Sequence, residues 1–414
     1  MKRRAVVTTI VAVAVAAVAV SSVGVASAGV KSQQGVTSNE IKVAGITDPN
    51  GADAALGAKV RFDQENAKGG VNGRKITLVE TANDKDDPAT NLSEVRRLVT
   101  EDGVAAIVPV QTPYTAGDYL KSAKMPFFGW GVSPAYYKNP YSFGFTGSLV
   151  PPNVTFAGDT WGKLIDKLYK GQGDQTGAKG KTAAVISQDN SAGTNGVKVI
   201  GAAARAAGMK VVYQKAPIPA AAPPGDYSPY VQALLTSNKG GQPDVIFVVT
   251  QFNYTLPLSS LLQSSGFKGV LTNAVAYDPR LASSAKGETV FTQFDVPEDT
   301  ANPNMVKITN ALKAGLNGKT LSQAVLAGYL TADQFVAALK KAGKNPSSAT
   351  IQKAASKLTW SIPGVVGTTK YPTGYTYGTP CGTLVQSDGT AYKIVAPYGC
   401  YENVTVPGLK PIPY

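Results

Sequence analysis

Two turns carry the residues with most to offer a bound molecule. Gln111-Thr112-Pro113-Tyr114-Thr115 follows the apolar run 104–110, and Trp130-Gly131-Val132-Ser133 ends the strand expected over 126–130. Together they set hydroxyls, an amide, an indole and glycine backbone at two neighbouring strand ends. A second pair adds amides, aromatic rings and a carboxylate: Gln251-Phe252-Asn253 after the run 244–250, and Tyr277-Asp278 after the short strand 270–272. The chemistry of such a set is recognition. Hydroxyls and N–H groups hold a carboxylate, a carboxylate or several carbonyls hold an ammonium, and aromatic rings wall an apolar body. Ser, Thr, Asn and Asp also fill turns and helix starts for purely local reasons, so their type alone does not make a site.

Bond-making chemistry has little to work with. The 414 residues contain no histidine, which removes the commonest general base and metal ligand and excludes a Ser-His-Asp triad or a His-ligated zinc. There is no phosphate loop, no Gly-x-Ser-x-Gly and no dinucleotide fingerprint. No catalytic residue, metal or cofactor is expected. The enzymatic alternative left is a secreted enzyme built on paired carboxylates.

The elements that must position these turns read as strand and helix in alternation. Strands are expected over 40–46, 76–80, 104–110 and 126–130, with a helix after Pro88 capped by Asp86 or Asp87. Ala52, Leu56 and Val60, four apart, mark one face of the first helix. Gly69-Gly70 ends it and Asn72-Gly73 turns the chain back into the sheet. The alternation resumes after about residue 150. Helices are read over 154–169, 192–207, 230–237 and 253–265, and strands over 182–187, 209–213, 244–250 and 270–272. Three further helices (304–314, 332–342, 348–358) precede a tail rich in Tyr, Thr, Gly and Pro. Two βαβ series imply an α/β protein of two doubly wound, parallel-sheet lobes.

Met1-Lys2-Arg3-Arg4, the apolar run 5–20 and Ala26-Ser27-Ala28 have the order of a secretory leader cleaved after Ala28. No cysteine follows the apolar run, so no lipid anchor is expected there, and the mature chain should be periplasmic, extracellular or held at the cell surface. Cys381 and Cys400 are the only cysteines, and in an oxidising compartment they are expected to pair. The formal charge of +13 is spread over scattered lysines. That reads as a solvated basic surface rather than a nucleic-acid footprint.

The run Glu65-Asn66-Ala67-Lys68-Gly69-Gly70-Val71-Asn72-Gly73-Arg74-Lys75 resembles the first helix–turn–strand of the type I periplasmic solute-binding proteins, the leucine/isoleucine/valine receptors and amide sensors. Ile41-Lys42-Val43-Ala44-Gly45, Asp84-Lys85-Asp86-Asp87-Pro88-Ala89 and Asp102-Gly103-Val104-Ala105-Ala106-Ile107-Val108 continue the likeness, which spans about 36–367. The resemblance implies hinged lobes closing on a small ligand for an ABC importer, in a protein expected to be monomeric. It implies lobe one at 36–149 and 273–377, lobe two at 150–272 and 378–414, and crossings near Leu149, Thr272 and Gly378. It places Thr112, Tyr114, Thr115 and Ser133, with backbone near Gly131, against a ligand carboxylate. Ser191-Ala192-Gly193 lacks the aromatic that amino acid receptors carry there, and the first acid after 270–272 is Asp278. A small polar ligand is expected, whether amino acid, amide or small organic acid, with these departures favouring a neutral or anionic one. A ligand sensor or secreted scavenger of the same fold, without a permease, is the alternative.

Overall fold

The computed structural model describes residues 33–413, so the expected leader at 1–28 lies outside them. The first lobe begins with β1 (Glu40–Thr47), α1 (Ala54–Asn66), β2 (Lys75–Asn83), α2 (Pro88–Thr100), β3 (Ala106–Gln111), α3 (Gly117–Ser122), β4 (Phe127–Gly129) and β5 (Ser142–Gly144). Its five strands pair in parallel in the order β2-β1-β3-β4-β5. Alternation along β1 explains the layers. Ile41 and Val43 face α1 and a late helix, while Ala44 and Ile46 face α2 and α3. In β3 every residue but Gln111 is buried, as a parallel strand covered on both faces requires.

The chain then forms β6 (Phe156–Gly158), α4 (Thr160–Gly171), β7 (Thr182–Gln188), α5 (Ser191–Ala206), β8 (Lys210–Ile218), α6 (Ser228–Leu235), β9 (Val245–Val249), α7 (Phe252–Ser264), β10 (Val270–Asn273) and β11 (Thr289–Thr292). It returns to the first lobe through α8 (Pro303–Gly315), α9 (Gln323–Ala342), α10 (Ser348–Ala355) and the hairpin β12 (Thr359–Ile362)–β13 (Val366–Lys370). It ends in β14 (Cys381–Ser387), β15 (Tyr392–Cys400), β16 (Asn403–Thr405) and β17 (Pro411–Ile412). The second sheet runs β15-β14-β11-β10-β9-β7-β8, antiparallel only where β14 and β15 join. In β7 the alternation repeats: Ala183 and Val185 face α4 and α5, and Ala184 and Ile186 face α6 and α7.

Four expectations change. The helix read over 154–169 starts at Thr160, because Phe156–Gly158 pairs with Asn403–Thr405 as an edge strand. That partner lies far off in the sequence, so local periodicity does not reveal it. The return to lobe one near Thr272 is displaced: β11 pairs with both β10 and β14, so the chain leaves the second sheet only after Thr292. The helix expected to begin at Ala332 begins at Gln323, capped by Ser322. The buried stripe of α1 runs through Ala54, Ala58 and Phe62 rather than Ala52 and Leu56. The cause is α9, which crosses so tightly that a Cβ on Gly57 would stand 1.8 Å from the Val325 carbonyl oxygen, and one on Gly328 1.9 Å from that of Ala54. Arg61 spans the same contact, donating to Asp333 at 2.6 Å and to Glu65 at 3.1 Å.

The Gly69–Gly70 and Asn72–Gly73 turns take the left-handed backbone expected of them. Cys381 and Cys400 stand opposite each other in β14–β15 and form a disulfide. Among the described residues no helix is long and apolar enough to cross a membrane.

Candidate functional site

A cleft of about 540 Å³ opens between the two sheets. The loops after β1, β3 and β4 bring Asp48–Asp53, Gln111–Pro113 and Trp130 to it from one side. Those after β7, β9 and β10 bring Gln188, Asn190, Thr250–Phe252 and Ala274–Arg280 from the other. These are carboxyl ends of parallel strands, where open α/β sheets bind ligands. The segments joining the lobes close the remaining side through Leu149, Val150, Phe156, Gln293 and Gly378–Cys381.

The first lobe presents acid. Asp48 sits at the end of β1, and its carboxylate accepts the backbone N–H of Gly51 in an Asx turn. Burial, then the charge of Asp86, pushes Asp48 up to about 7. Asp84 and Asp86 are likewise raised, first by burial. Among the described residues no lysine or arginine pairs with any of the three. Asp84 is fully buried, accepting from the Thr112 hydroxyl and from Asn91 at 3.0 Å.

Two contacts cross the cleft. The Gln251 amide donates to Asp86 at 2.7 Å, and a Gln188–Gln251 pair, 2.7 Å in each direction, holds that amide in place. Asp86 reaches it from a left-handed backbone, φ 60°. Arg280 donates through Nε to both Asp278 oxygens at 3.0 Å and through Nη2 to Asp53 at 3.0 Å, so it ties the loop after β10 to the start of α1. The hydrogen bond to Asp278 leads in holding Arg280 charged.

Of the residues singled out in the sequence, Gln111, Thr112, Trp130, Gln251, Phe252, Tyr277 and Asp278 line the cleft. Several face it with their polar groups already committed. The Trp130 indole donates to Gln293, the Tyr277 hydroxyl to Glu298 at 2.6 Å, and the Thr112 hydroxyl to Asp84. Tyr114, Thr115, Gly131, Ser133, Ser191 and Asn253 lie outside the lining. Ser133 is buried and caps a short turn by accepting the Ala135 N–H at 3.4 Å. Gly131 is pressed against Gly147, whose carbonyl a Cβ would strike at 1.6 Å. The Thr115 hydroxyl is buried without a partner. Tyr114 offers its carbonyl to Asn91. Ser191 is the exposed first residue of α5, beside the cap Asn190, and Asn253 sits in the first turn of α7.

The sequence reading missed Asp48, Asp53, Arg280 and the aromatic wall of Phe156, Trp161 and Phe291. Asp48 had a usable signal, since it ends a strand as Gln111 does, but Asp48-Pro49-Asn50-Gly51 reads equally well as a plain turn. Trp161 had none. Its position looks like the apolar side of a helix, and only the stacking on Phe291 (centroids 5.1 Å apart, planes 17°) puts it at the cleft. Asp48 joins Asp278 as a further acid in the cleft lining, one that the sequence reading did not single out.

The model of the periplasmic binding protein family matches residues 40–391. The Leu/Ile/Val-binding protein homolog 7 of Brucella suis biovar 1 is 25% identical over 334 residues, covering 74% of this chain and 77% of that protein. Among solved structures, the fold is similar to the fatty acid ABC transporter substrate-binding protein from Thermomonospora curvata (TM-score 0.68, 21% identity, 90% of this chain and 95% of that one). It is also similar to LivJ from Streptococcus pneumoniae in complex with isoleucine (TM-score 0.63, 18% identity, 87% and 100%). A solute binding protein of R. palustris in complex with benzoate gives a TM-score of 0.65 at 14% identity, over 88% and 98%. With the family model spanning most of the chain and the cleft set between two parallel sheets, this protein belongs to the periplasmic binding protein family.

Proposed function

We propose that the protein is an exported receptor that captures a small molecule between its lobes and delivers it to the permease of an ABC importer. Capture is by closure about the hinge segments, with no bond made or broken in the ligand. The observation that carries this reading is the cleft of about 540 Å³, bounded by strand-end loops of both sheets and bridged by Gln251–Asp86 and Arg280–Asp53. A ligand that bound both walls would favour the closed arrangement by its differential affinity for it.

On this reading Gln111, Trp130, Gln251, Phe252, Tyr277 and Asp278 touch the ligand, and Thr112 positions Asp84 behind the wall. The lobes are 36–149 with the segment from about 295 to 377, and 150–294 with 378–414. Residues 1–28 direct export, and the receptor works as a monomer. The importer assignment draws support from the named neighbours, which are transporter receptors for a fatty acid, isoleucine and benzoate.

Native mass spectrometry of the purified protein, with a thermal-shift panel of amino acids, amides, amines and organic acids, tests the reading. A bound small molecule, or one stabilising compound that also slows hydrogen exchange in the loops after β3 and β9, is the expected result. Failure to bind anything by either method would remove the receptor function.

A further inference from the structure

The polar groups lining the cleft are unequally free. An anion needs donors, and several of those present are spent inside the protein, while the buried Asn50 amide nitrogen and Thr160 hydroxyl have no partner. The Gln251 and Gln188 amides donate to Asp86 and to Gln251. The Trp130 indole donates to Gln293, and that of Trp161 to Thr272 at 3.0 Å. Arg280, the one cation in the lining, is shared by two carboxylates, so its cluster carries net negative charge. The acceptor side is the reverse. Asp48 lines the cleft, takes only backbone N–H groups, and has no cation beside it. Asp84 and Asp86 add their field behind it.

Trp130 and Trp161 line the cleft with their N–H groups committed and one face each stacked on a phenylalanine, Phe145 and Phe291, so what they offer a ligand is carbon. An aromatic face attracts a cation and packs well against an apolar body. This arrangement sits in a chain whose formal charge is +13, so the sign of the cleft opposes that of the whole molecule.

We propose that the cleft takes an organic amine with an apolar body, its ammonium held by Asp48 and its hydrocarbon against Trp130 and Trp161. The inference rests on the receptor reading above and narrows it. An ammonium supplies the missing counterion of a half-buried carboxylate, and pairing is the condition under which a desolvated charge becomes favourable. A carboxylic acid of the same skeleton would meet Asp48 with like charge.

The test uses the full mature chain and a matched series: 2-phenylethylamine, 2-phenylethanol and 3-phenylpropionate, with hexylamine and hexanoate beside them. Binding is followed by calorimetry and by the fluorescence of Trp130 and Trp161. The expected result is binding of an amine at least tenfold tighter than its acid partner, and at least a tenfold loss for that amine in Asp48→Asn. At pH 5 the carboxyl of Asp48 is largely protonated, so the variant should melt close to the wild type there, which checks its folding. Should the variant not fold, the wild-type comparison of amine with acid decides alone. Tighter binding of an acid or of the alcohol, or an Asp48→Asn variant that folds and binds the amine unchanged, overturns the proposal and leaves the receptor reading standing. If none of the five probes binds, the charge of a molecule co-purified with the protein decides: a cation upholds the proposal, and an anion or neutral compound overturns it. No binding of the five probes and no co-purified molecule overturns the amine proposal, and the receptor reading falls with it only if the whole thermal-shift panel also fails.

Discussion

Glu288 lies fully buried at the junction of β10 and β11, away from the cleft lining. Its Oε1 accepts from the Ser259 hydroxyl at 2.7 Å and from Asn273 at 2.8 Å, while Oε2 has no partner. Burial raises its carboxyl from the ordinary 4.5 to about 7. The native state therefore keeps a proton that the unfolded chain releases near pH 4.5, so stability falls as pH climbs from about 4.5 to about 7 and levels off above it. At about 1.4 kcal/mol for each tenfold in proton affinity, burying Glu288 costs about 3 kcal/mol at pH 8, where it ionises in the fold, against about 1 kcal/mol at pH 5, where it stays neutral while the unfolded chain ionises. Glu288→Gln keeps the Oε1 acceptor and cannot ionise. Its amide nitrogen inherits the unpartnered position that the O–H of the neutral acid or Oε2 holds now. We expect the variant to melt about 4 °C above the wild type at pH 8 and only about 1 °C above it at pH 5, at roughly 0.8 kcal/mol per degree for a chain of this length. Asp48 and Asp295 are also raised to about 7, so the wild-type profile has other contributors, and the difference between variant and wild type isolates Glu288. Differential scanning fluorimetry at pH 5, 6, 7 and 8 measures it. A difference that does not grow with pH, or a variant less stable at pH 8, would refute the account of a neutral buried acid.

Three further outcomes are expected. Gln251→Ala removes the bond to Asp86 and should speed ligand release by about three- to tenfold, in line with roughly 1 kcal/mol for one hydrogen bond, with little change in melting temperature; stopped-flow fluorescence reads it. Gly57→Ala puts a methyl 1.8 Å from a backbone oxygen of α9, so α1 and α9 must separate, and a loss of about 2 kcal/mol or more should appear as a lowered denaturant midpoint. Reducing Cys381–Cys400, whose sequence separation is 19, should lower stability by about 3 kcal/mol in the chain-entropy account; the double serine variant should melt with the reduced wild type.

The fold was legible because its signals are local. Apolar runs such as 104–110 admit little besides a buried parallel strand, and Gly69-Gly70 with Asn72-Gly73 sets a helix-to-strand turn through backbone freedom alone. Helix caps were legible for the same reason: Asp87 before Pro88 accepts the Thr90 N–H as its type and place predict. The site was half legible. Strand ends are where ligands bind, and that rule found Gln111, Trp130, Gln251 and Tyr277. It could not tell a free hydroxyl from a committed one. Thr112 looked like a ligand donor, but its hydroxyl donates to Asp84, 28 residues earlier.

By itself the sequence determined the α/β class, the alternation of elements, the absence of histidine chemistry and the pair of cysteines, all of which follow from residue type and short-range spacing. Tertiary structure decided the rest. β11 is enclosed in the second sheet because β14, far along the chain, pairs with its outer edge. Trp161 became a cleft wall because a ring 130 residues later stacks on it. Asp48 became an acid without a counterion because folding gathered Asp84 and Asp86 beside it and brought no lysine. Burial and partnership are properties of the neighbours a residue acquires, and most of those neighbours lie far along the chain.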